Sequence, residues 1–271
     1  MKNFYNNFLS FSLLLFFKRI YIFLNENFLQ FKSSIIWLIK SKEHTSFSLE
    51  LSNENEEAIS LQLGEFANID SDLINKTILK IKKVDFIKSF KERRSYKTVD
   101  LDYIPKFDYR LIAITLLFNT NTTNLIELGF NQGRLPFIIN SLNKEYFNKK
   151  YKYYGIDYNP RKGGFVNELD SKEIKIIIGK VENELVKLKS STIESSILVV
   201  STHEKASENF IFKYLIEKNI YPKYIISDNV NLESSYKFYL ENTKKYKNQI
   251  FIFNDKNNFF KSLYCGLSIR S

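Results

Sequence analysis

Cysteine is almost absent from this chain of 271 residues, which contains only Cys265. An intramolecular disulfide is therefore excluded, and a reducing, cytoplasmic environment is the expectation. Glycine and proline are also scarce, with 8 and 4 residues, while lysine, asparagine, isoleucine and phenylalanine are abundant. This pattern indicates a compositional bias, so lysines are expected over the whole surface rather than at one site. The net charge of +10 attracts anionic partners in general without identifying one of them.

The chain also lacks an apolar run long enough to cross a membrane. The apolar stretch Phe8–Phe17 ends at Lys18 and Arg19, well short of the roughly 20 residues that a spanning helix needs. No small-residue cleavage site follows it, which argues against a secretory signal. We expect residues 1–40 to form amphipathic helices that pack on the domain or on a second subunit in a homodimer. A peripheral membrane-surface helix is the alternative, favoured by Trp37 and the lysines around it.

Two parts of the chain differ in their patterning. Residues 1–105 are mixed: the polar stretch Glu43–Glu57 is predicted to be a linker or exposed loop, and Ile69–Lys83 a helix. We expect this part to be a helical extension that serves as a substrate lid, a dimerisation surface or a membrane-facing segment. Residues 106–271 alternate between short β-rich runs and helical runs, which is typical of βαβ units in a parallel sheet.

The second part of the chain is therefore predicted to be an α/β domain. Its predicted strands are Asn124–Leu128, Tyr151–Asp157, Glu173–Ile178, Ser196–Ser201, Lys223–Ser227, Gln249–Phe253 and Leu263–Ile269. Its predicted helices are Tyr109–Phe118, Gly133–Leu142, Val181–Lys189, Lys205–Lys218 and Leu232–Tyr246. Too few residues separate the last two strands for a helical crossover, so we expect them to pair as an antiparallel hairpin.

The strongest local motif runs from Asn124 to Gly133, where an apolar strand ends in E-x-G-x-x-x-G and leads into a helix. Gly129 allows a sharp turn, and Gly133 allows a ligand to approach the free N–H groups of the helix start. Glu127 precedes this turn, and Asn131 and Gln132 lie within it, so these residues are candidates for cofactor binding. The spacing differs from the G-x-G-x-x-G of NAD-binding proteins. The alternative is a tight turn without a ligand.

A second motif, Tyr153-Tyr-Gly-Ile-Asp157, ends the next strand with an acid at its tip. A carboxylate at this place in a nucleotide-binding sheet accepts from the hydroxyls of a ribose, because the ligand crevice lies outside the carboxyl ends of the strands. The alternative for Asp157 is a turn residue ahead of Asn159 and Pro160. The two motifs together support a nucleotide-like ligand better than either one alone.

The segments ELGFNQG, YGID, IIIGKVE and ILVVS and the terminal strand pair resemble class I S-adenosylmethionine-dependent methyltransferases. The resemblance implies a Rossmann-like, seven-stranded, mostly parallel sheet with an antiparallel last strand. It also implies S-adenosylmethionine as the cofactor, with Glu127, Gly129 and Gly133 around its methionine part and Asp157 on its ribose. Gly179, Lys180 and Val181 match the place where the family holds adenine, and Lys180 departs from the acidic or small residue that is frequent there.

The segment from Val200 to His203 looks like the D-G-x-H segment of small-molecule and sugar O-methyltransferases, and an FkbM-like group is a neighbouring option. His203 is the candidate general base, since its ordinary pKa of about 6.5 leaves it neutral at pH 7. The alternative for His203 is a helix cap or a surface residue. Val200 replaces the aspartate of that segment, and Asp228 with one histidine makes a poor metal site, so we predict no metal.

Three functions follow from the sequence. The favoured one is methyl transfer to a hydroxyl of a small molecule or sugar, in glycan or secondary-metabolite biosynthesis. Nucleic-acid methylation is an alternative that the positive charge supports, although no RNA-binding module is recognisable. A third option is a non-catalytic relative that binds the nucleotide or a partner, suggested by Val200 and Lys180.

Overall fold

The computed structural model describes residues 48–52, 56–84, 108–131, 133–160, 172–202, 204–228, 245–254 and 262–271. The described strands are β1 (Ser48–Ser52), β2 (Asn124–Leu128), β3 (Lys152–Asp157), β4 (Ile174–Ile178), β5 (Ser196–Val200), β6 (Tyr224–Asp228), β7 (Tyr246–Asn254) and β8 (Ser262–Arg270). The described α-helices are α1 (Glu56–Ala67), α2 (Ser71–Lys83), α3 (Tyr109–Asn119), α4 (Arg134–Leu142), α5 (Val181–Glu184), α6 (Ser190–Glu194) and α7 (Lys205–Glu217).

The strands form one sheet in the order β1-β7-β8-β6-β5-β2-β3-β4. Strand β8 is antiparallel to its neighbours β6 and β7, whereas the other described pairs are parallel. The seven strands β2 to β8 therefore make the predicted Rossmann-like sheet with a reversed last strand. The predicted hairpin of β7 and β8 is confirmed as well.

The prediction for Glu43–Glu57 was wrong in part, because this stretch holds the eighth strand. Ser48–Ser52 form β1, which pairs in parallel with β7 and places Ser48 opposite Ile250. Glu56 already begins α1. A five-residue polar strand at a sheet edge is held by backbone pairing with a strand some two hundred positions away in the sequence, and local patterning does not reveal such a partner.

Two hydrophobic cores lie on the two faces of the sheet. Consecutive residues of β2 show the division: Leu125 belongs to the first core and Ile126 to the second, as the two-residue period of a strand requires. Ile74 and Ile78 of α2 are buried in the first core together with Leu116 of α3. Residues 56–84 therefore share a core with the sheet. The division of the chain at residues 105 and 106 stays a prediction, because residues 85–107 lie outside the described part.

Two predicted helices differ from the structure. The chain over Val181–Lys189 is not one helix: α5 is followed by a 3-10 turn, Leu185–Lys187, and then by the separate α6. This tighter path buries both Leu185 and Ile193 in the second core. The helix predicted for Leu232–Tyr246 lies outside the described residues up to residue 244, and Tyr246 itself begins β7. Residues 1–40 also lie outside them, and none of the described helices is long and apolar enough to cross a membrane.

Candidate functional site

A cavity of about 650 Å³ opens at the carboxyl ends of the parallel strands. This volume falls within the range of small-molecule and cofactor sites, about 300 to 1,000 Å³. The loops after β2, β3, β4 and β5 all reach it, as expected for neighbouring parallel strands. Its lining consists of Gly129, Asn131, Asp157, Tyr158, Asn159, Lys180, Val181, Glu182, Ser201, Thr202, Glu204, Ala206 and Ser207.

The turn after β2 is built around three residues with positive φ: Gly129, Asn131 and Gly133. Gly129 has a φ of 87°, and a Cβ there would collide with the carbonyl oxygen of Ser201, so only glycine fits between the two strand ends. Gly133 has a φ of 73°, and its N–H donates to the Phe130 carbonyl over 2.9 Å at the start of α4. Gly129 and Asn131 line the cavity, whereas Gly133 shapes the turn without lining it.

Asp157 is held rigidly at the tip of β3. Its Oδ2 accepts a hydrogen bond from the Asn131 N–H over 2.8 Å, and its Oδ1 accepts one from the Asn159 N–H over 2.9 Å. Asp157 therefore stabilises the turn, as one of the two sequence interpretations proposed, and this role does not prevent it from binding a ligand as well. A carboxylate has about four acceptor positions, so each oxygen keeps capacity for a ligand hydroxyl. The side chain is half-buried and lines the cavity.

The turn after β4 brings the third predicted group of residues to the same edge. The N–H of Gly179 donates to the Asp157 carbonyl over 3.0 Å, which holds this turn against the end of β3. Lys180 is exposed and lines the cavity, and Val181 is a buried lining residue at the start of α5. A Cβ on Gly179 would lie 2.8 Å from Cγ of Glu184, so glycine is needed here for close packing against Glu184. Gly179 itself does not line the cavity.

A chain of polar side chains that the sequence motifs do not indicate crosses the cavity. The Tyr158 hydroxyl donates to Oε1 of Glu204 over 2.8 Å, which links the end of β3 to the start of α7. The Ser207 hydroxyl donates to Oε1 of Glu182 over 2.8 Å and lies 3.3 Å from Oε2 of Glu204. Tyr158 and Glu182 each directly follow a predicted site residue, which was the signal available in the sequence.

Glu127 occupies a different position from the one its motif suggested. Its carboxylate is only 1% exposed, does not line the cavity and accepts hydrogen bonds from Tyr109, over 3.0 Å, and from Tyr153. Burial raises the pKa of Glu127 to about 7, and the two tyrosine hydrogen bonds oppose part of that rise. Its contact with a cofactor stays a prediction, while its hydrogen bonds with the buried Tyr153 and the half-buried Tyr109 give it a structural role.

Further charged groups lie behind the cavity. Asp228 accepts a hydrogen bond from the lining hydroxyl of Ser201 over 3.0 Å, so it stands behind Ser201 rather than in the lining. Asp108 caps α3 by accepting from the Arg110 N–H over 2.8 Å, and it also accepts from the Arg110 guanidinium over 2.9 Å. This ion pair is largely buried beside the start of α3.

Two predicted site residues, Gln132 and His203, lie outside the described residues. Val200, whose place suggested a missing metal ligand, is 1% exposed and packs in the second core. The described stretches contain no group of three or more histidine, cysteine, aspartate or glutamate residues arranged to hold a metal ion. Metal independence nevertheless stays a prediction.

No protein-family model and no curated protein sequence matches this chain. Among solved structures, the chain is similar to SAH-bound methyltransferase PaMTH1 of Podospora anserina (12% identity; 80% of this chain and 96% of that chain covered; TM-score 0.42). It is also similar to the TDP-rhamnose 3'-O-methyltransferase CalS11, with 8% identity, 74% of this chain and 93% of that chain covered, and a TM-score of 0.45. For Aeropyrum pernix fibrillarin with natively bound S-adenosyl-L-methionine, the identity is 10%, 59% of this chain and 73% of that chain are covered, and the TM-score is 0.38. Since these TM-scores lie below 0.5, the fold class rests on the chain's own strand order.

Proposed function

We propose that this chain is an S-adenosylmethionine-dependent methyltransferase that acts on a hydroxyl of a small molecule or sugar. The observation that carries the proposal is the cavity at the carboxyl edge, where the loops after β2, β3, β4 and β5 converge around Asp157. The sheet behind this cavity has the reversed last strand that the sequence resemblance implies.

The lining fits the proposed cofactor. Asp157 has spare acceptor capacity for ribose hydroxyls, and the apolar Val181 offers a surface for a purine ring. Glu182 directly follows Val181 and presents a carboxylate that can accept from the exocyclic amino group of adenine. It would thereby supply the acceptor that Lys180 cannot provide. S-adenosylmethionine, when bound, supplies an electrophilic methyl group on a positively charged sulfur.

The charge of the cavity supports a neutral or cationic ligand over a polyanion. Asp157, Glu182 and Glu204 line it, and Lys180 is the one basic side chain among its described lining residues. This local balance is opposite in sign to the net charge of the chain, +10. Carboxylates favour the positive sulfur of the cofactor and repel phosphates of an incoming nucleic acid. Nucleic-acid methylation therefore gains no support from the cavity.

His203 is proposed as the general base. In the sequence it stands between the lining residues Thr202 and Glu204, which is the support for this role. A neutral imidazole accepts the hydroxyl proton while the acceptor oxygen forms a bond to the methyl carbon and the carbon–sulfur bond breaks. Positioning of the two reactants contributes the rest of the rate.

The test is transfer of labelled methyl groups from S-adenosylmethionine to separate pools of sugars, small hydroxylated metabolites and RNA. The proposal expects label in one of the first two pools. His203→Ala should lower that rate by about 10² to 10⁴, whereas His44→Ala, which removes the other histidine, should not. Label in RNA alone would favour the nucleic-acid alternative. Tight cofactor binding without transfer to any pool would favour a non-catalytic binding protein.

A further inference from the structure

Two hydroxyl side chains, Ser201 and Thr202, directly follow β5 at one end of the cavity, and both line it. The Ser201 N–H donates to the Leu128 carbonyl over 2.8 Å, which fixes this loop beside the end of β2. Gly129 packs so closely against the Ser201 carbonyl that β2 has no room for a side chain at this point. The two hydroxyls are therefore the first side chains beyond the end of β5 that a ligand meets.

The Ser201 hydroxyl can only accept a hydrogen bond from a ligand, because it donates its own hydrogen to Oδ2 of Asp228 over 3.0 Å. The parallel strands β5 and β6 pair Val200 with Ser227, so the next residue of each strand stands beside the other. An ionised carboxylate has acceptors only, and a hydroxyl that donates its one hydrogen keeps two lone pairs. A ligand group at Ser201 must therefore be a donor.

The charge behind Ser201 is negative. Burial disfavours the charged form of Arg110, but the carboxylates of Asp108 and Asp228 raise its pKa above the ordinary value. These two carboxylates outnumber the one guanidinium, and Glu127, with a pKa of about 7, adds a partial negative charge at neutral pH. The donor that fits best at Ser201 is therefore a cationic one, such as an ammonium group.

The Thr202 hydroxyl can serve a ligand in the opposite direction. Its Oγ1 is buried and has no hydrogen-bond partner among the described residues. Buried polar groups without a partner are costly and rare, so such a group in a cavity wall marks a place where a ligand completes the hydrogen bond. Because its hydrogen is not committed, Thr202 can donate to an anionic oxygen next to the group that Ser201 receives.

The order of the strand ends indicates which part of the proposed cofactor reaches these hydroxyls. With adenine at Val181 after β4 and ribose at Asp157 after β3, the rest of the molecule continues toward β2 and β5. Neighbouring strands lie about 4.8 Å apart, so three spacings put the end of β5 about 14 Å from the end of β4. The amino-acid part of the cofactor is therefore the part that meets the β5 end of the cavity.

We propose that Ser201 and Thr202 bind the α-amino acid group of S-adenosylmethionine, with Ser201 accepting from its ammonium and Thr202 donating to its carboxylate. This inference rests on the proposed function. Asp228 is a positioning residue, since it fixes the direction of the Ser201 hydroxyl and supplies the negative charge behind it. Glu127, which the sequence motif suggested for the methionine part, does not line the cavity.

The experiment is calorimetric titration of the full chain with S-adenosylhomocysteine and with methylthioadenosine, which lacks the amino-acid group. The wild-type chain should bind S-adenosylhomocysteine at least about tenfold more tightly, as hydrogen bonds to charged groups require. Ser201→Ala should lower that affinity by about tenfold or more and leave methylthioadenosine binding unchanged, which also shows that the variant is folded. Asp228→Asn keeps an acceptor for the Ser201 hydroxyl and removes only the charge, so it should act in the same direction.

A second pair of ligands separates the two hydroxyls. Decarboxylated S-adenosylmethionine keeps the ammonium and lacks the carboxylate. Thr202→Val, which has nearly the same shape, should lower the affinity for S-adenosylmethionine and not that for the decarboxylated compound. Ser201→Ala should lower both affinities, because both compounds carry the ammonium.

The matched control is Ser207→Ala, which removes another lining hydroxyl, the one that donates to Glu182 over 2.8 Å on the adenine side. It should change the affinities for S-adenosylhomocysteine and methylthioadenosine by the same factor. Equal affinity of the wild-type chain for these two compounds, or undiminished binding of S-adenosylhomocysteine by Ser201→Ala, would overturn the inference while the cofactor assignment stands. A folded wild-type chain that binds none of the four compounds would overturn the proposed function, and this inference with it.

Discussion

Removal of the buried charge at Glu127 should change how the stability of the protein depends on pH. The carboxyl is 1% exposed and its pKa is raised by burial from 4.5 to about 7. The folded chain therefore binds the Glu127 proton more tightly than the unfolded chain does. The resulting stabilisation is fully present below pH 4.5 and is lost as the pH rises through 7.

The magnitude follows from the difference between the two pKa values. At about 1.4 kcal/mol for each pH unit, a rise from 4.5 to about 7 corresponds to about 3 kcal/mol. Glu127→Gln keeps the shape and cannot ionise, and its amide can still accept from one tyrosine and donate to the other. Relative to this variant, the wild-type chain should lose about 3 kcal/mol of unfolding free energy between pH 4.5 and pH 8.

The assay is urea unfolding at a series of pH values, followed by circular dichroism, for both chains. The difference between the two unfolding free energies removes the contribution of every group that titrates in both. Glu65→Gln is the matched control, since it removes one carboxylate from the exposed surface of α1. A difference between wild type and Glu127→Gln that stays constant over this pH range would refute the reasoning.

Three further predictions rest on single contacts. Tyr153→Phe removes a hydrogen bond that opposes the rise of the Glu127 pKa, so in the same assay the pH-dependent loss of stability should extend to higher pH and be larger than in the wild-type chain. Gly129→Ala forces a methyl group against the Ser201 carbonyl at a positive φ and should cost more than about 1 kcal/mol in urea unfolding. The Lys149 ammonium donates to the Thr120 carbonyl over 2.6 Å and to the Leu117 carbonyl in the last turn of α3. Lys149→Met removes both hydrogen bonds and should lower the free energy of unfolding by about 1 to 3 kcal/mol. An unchanged midpoint of urea unfolding would contradict this.

The central strands β2, β5 and β6 could be predicted from the sequence because they are buried on both faces. Such strands are short apolar runs bounded by turn residues, and β2 begins and ends at the predicted residues. Asp157 and Gly129 were likewise predictable, since the carboxyl ends of parallel strands meet at one edge. These features depend on local patterning, which the sequence displays directly.

The remaining features depend on contacts between distant parts of the chain. Glu127 is buried against Tyr109 and Tyr153, which lie 18 and 26 positions away, so its motif alone suggested a ligand contact. Strand β1 exists through pairing with β7. The carboxylates of Glu182 and Glu204 meet through Ser207 only after α5 and α7 have packed together. No periodicity in the sequence indicates these contacts between distant residues.

Calorimetric titration with S-adenosylmethionine and S-adenosylhomocysteine measures cofactor binding itself. We predict micromolar binding, about 8 kcal/mol, in the wild-type chain and a loss of at least about tenfold in Asp157→Ala. Asp70→Ala is the matched control, because Asp70 also accepts from a backbone N–H, that of Asp72 over 2.9 Å, at the distant start of α2. It should bind as the wild type does. A folded wild-type chain that binds neither compound, or an Asp157→Ala variant that binds both undiminished, would contradict the account.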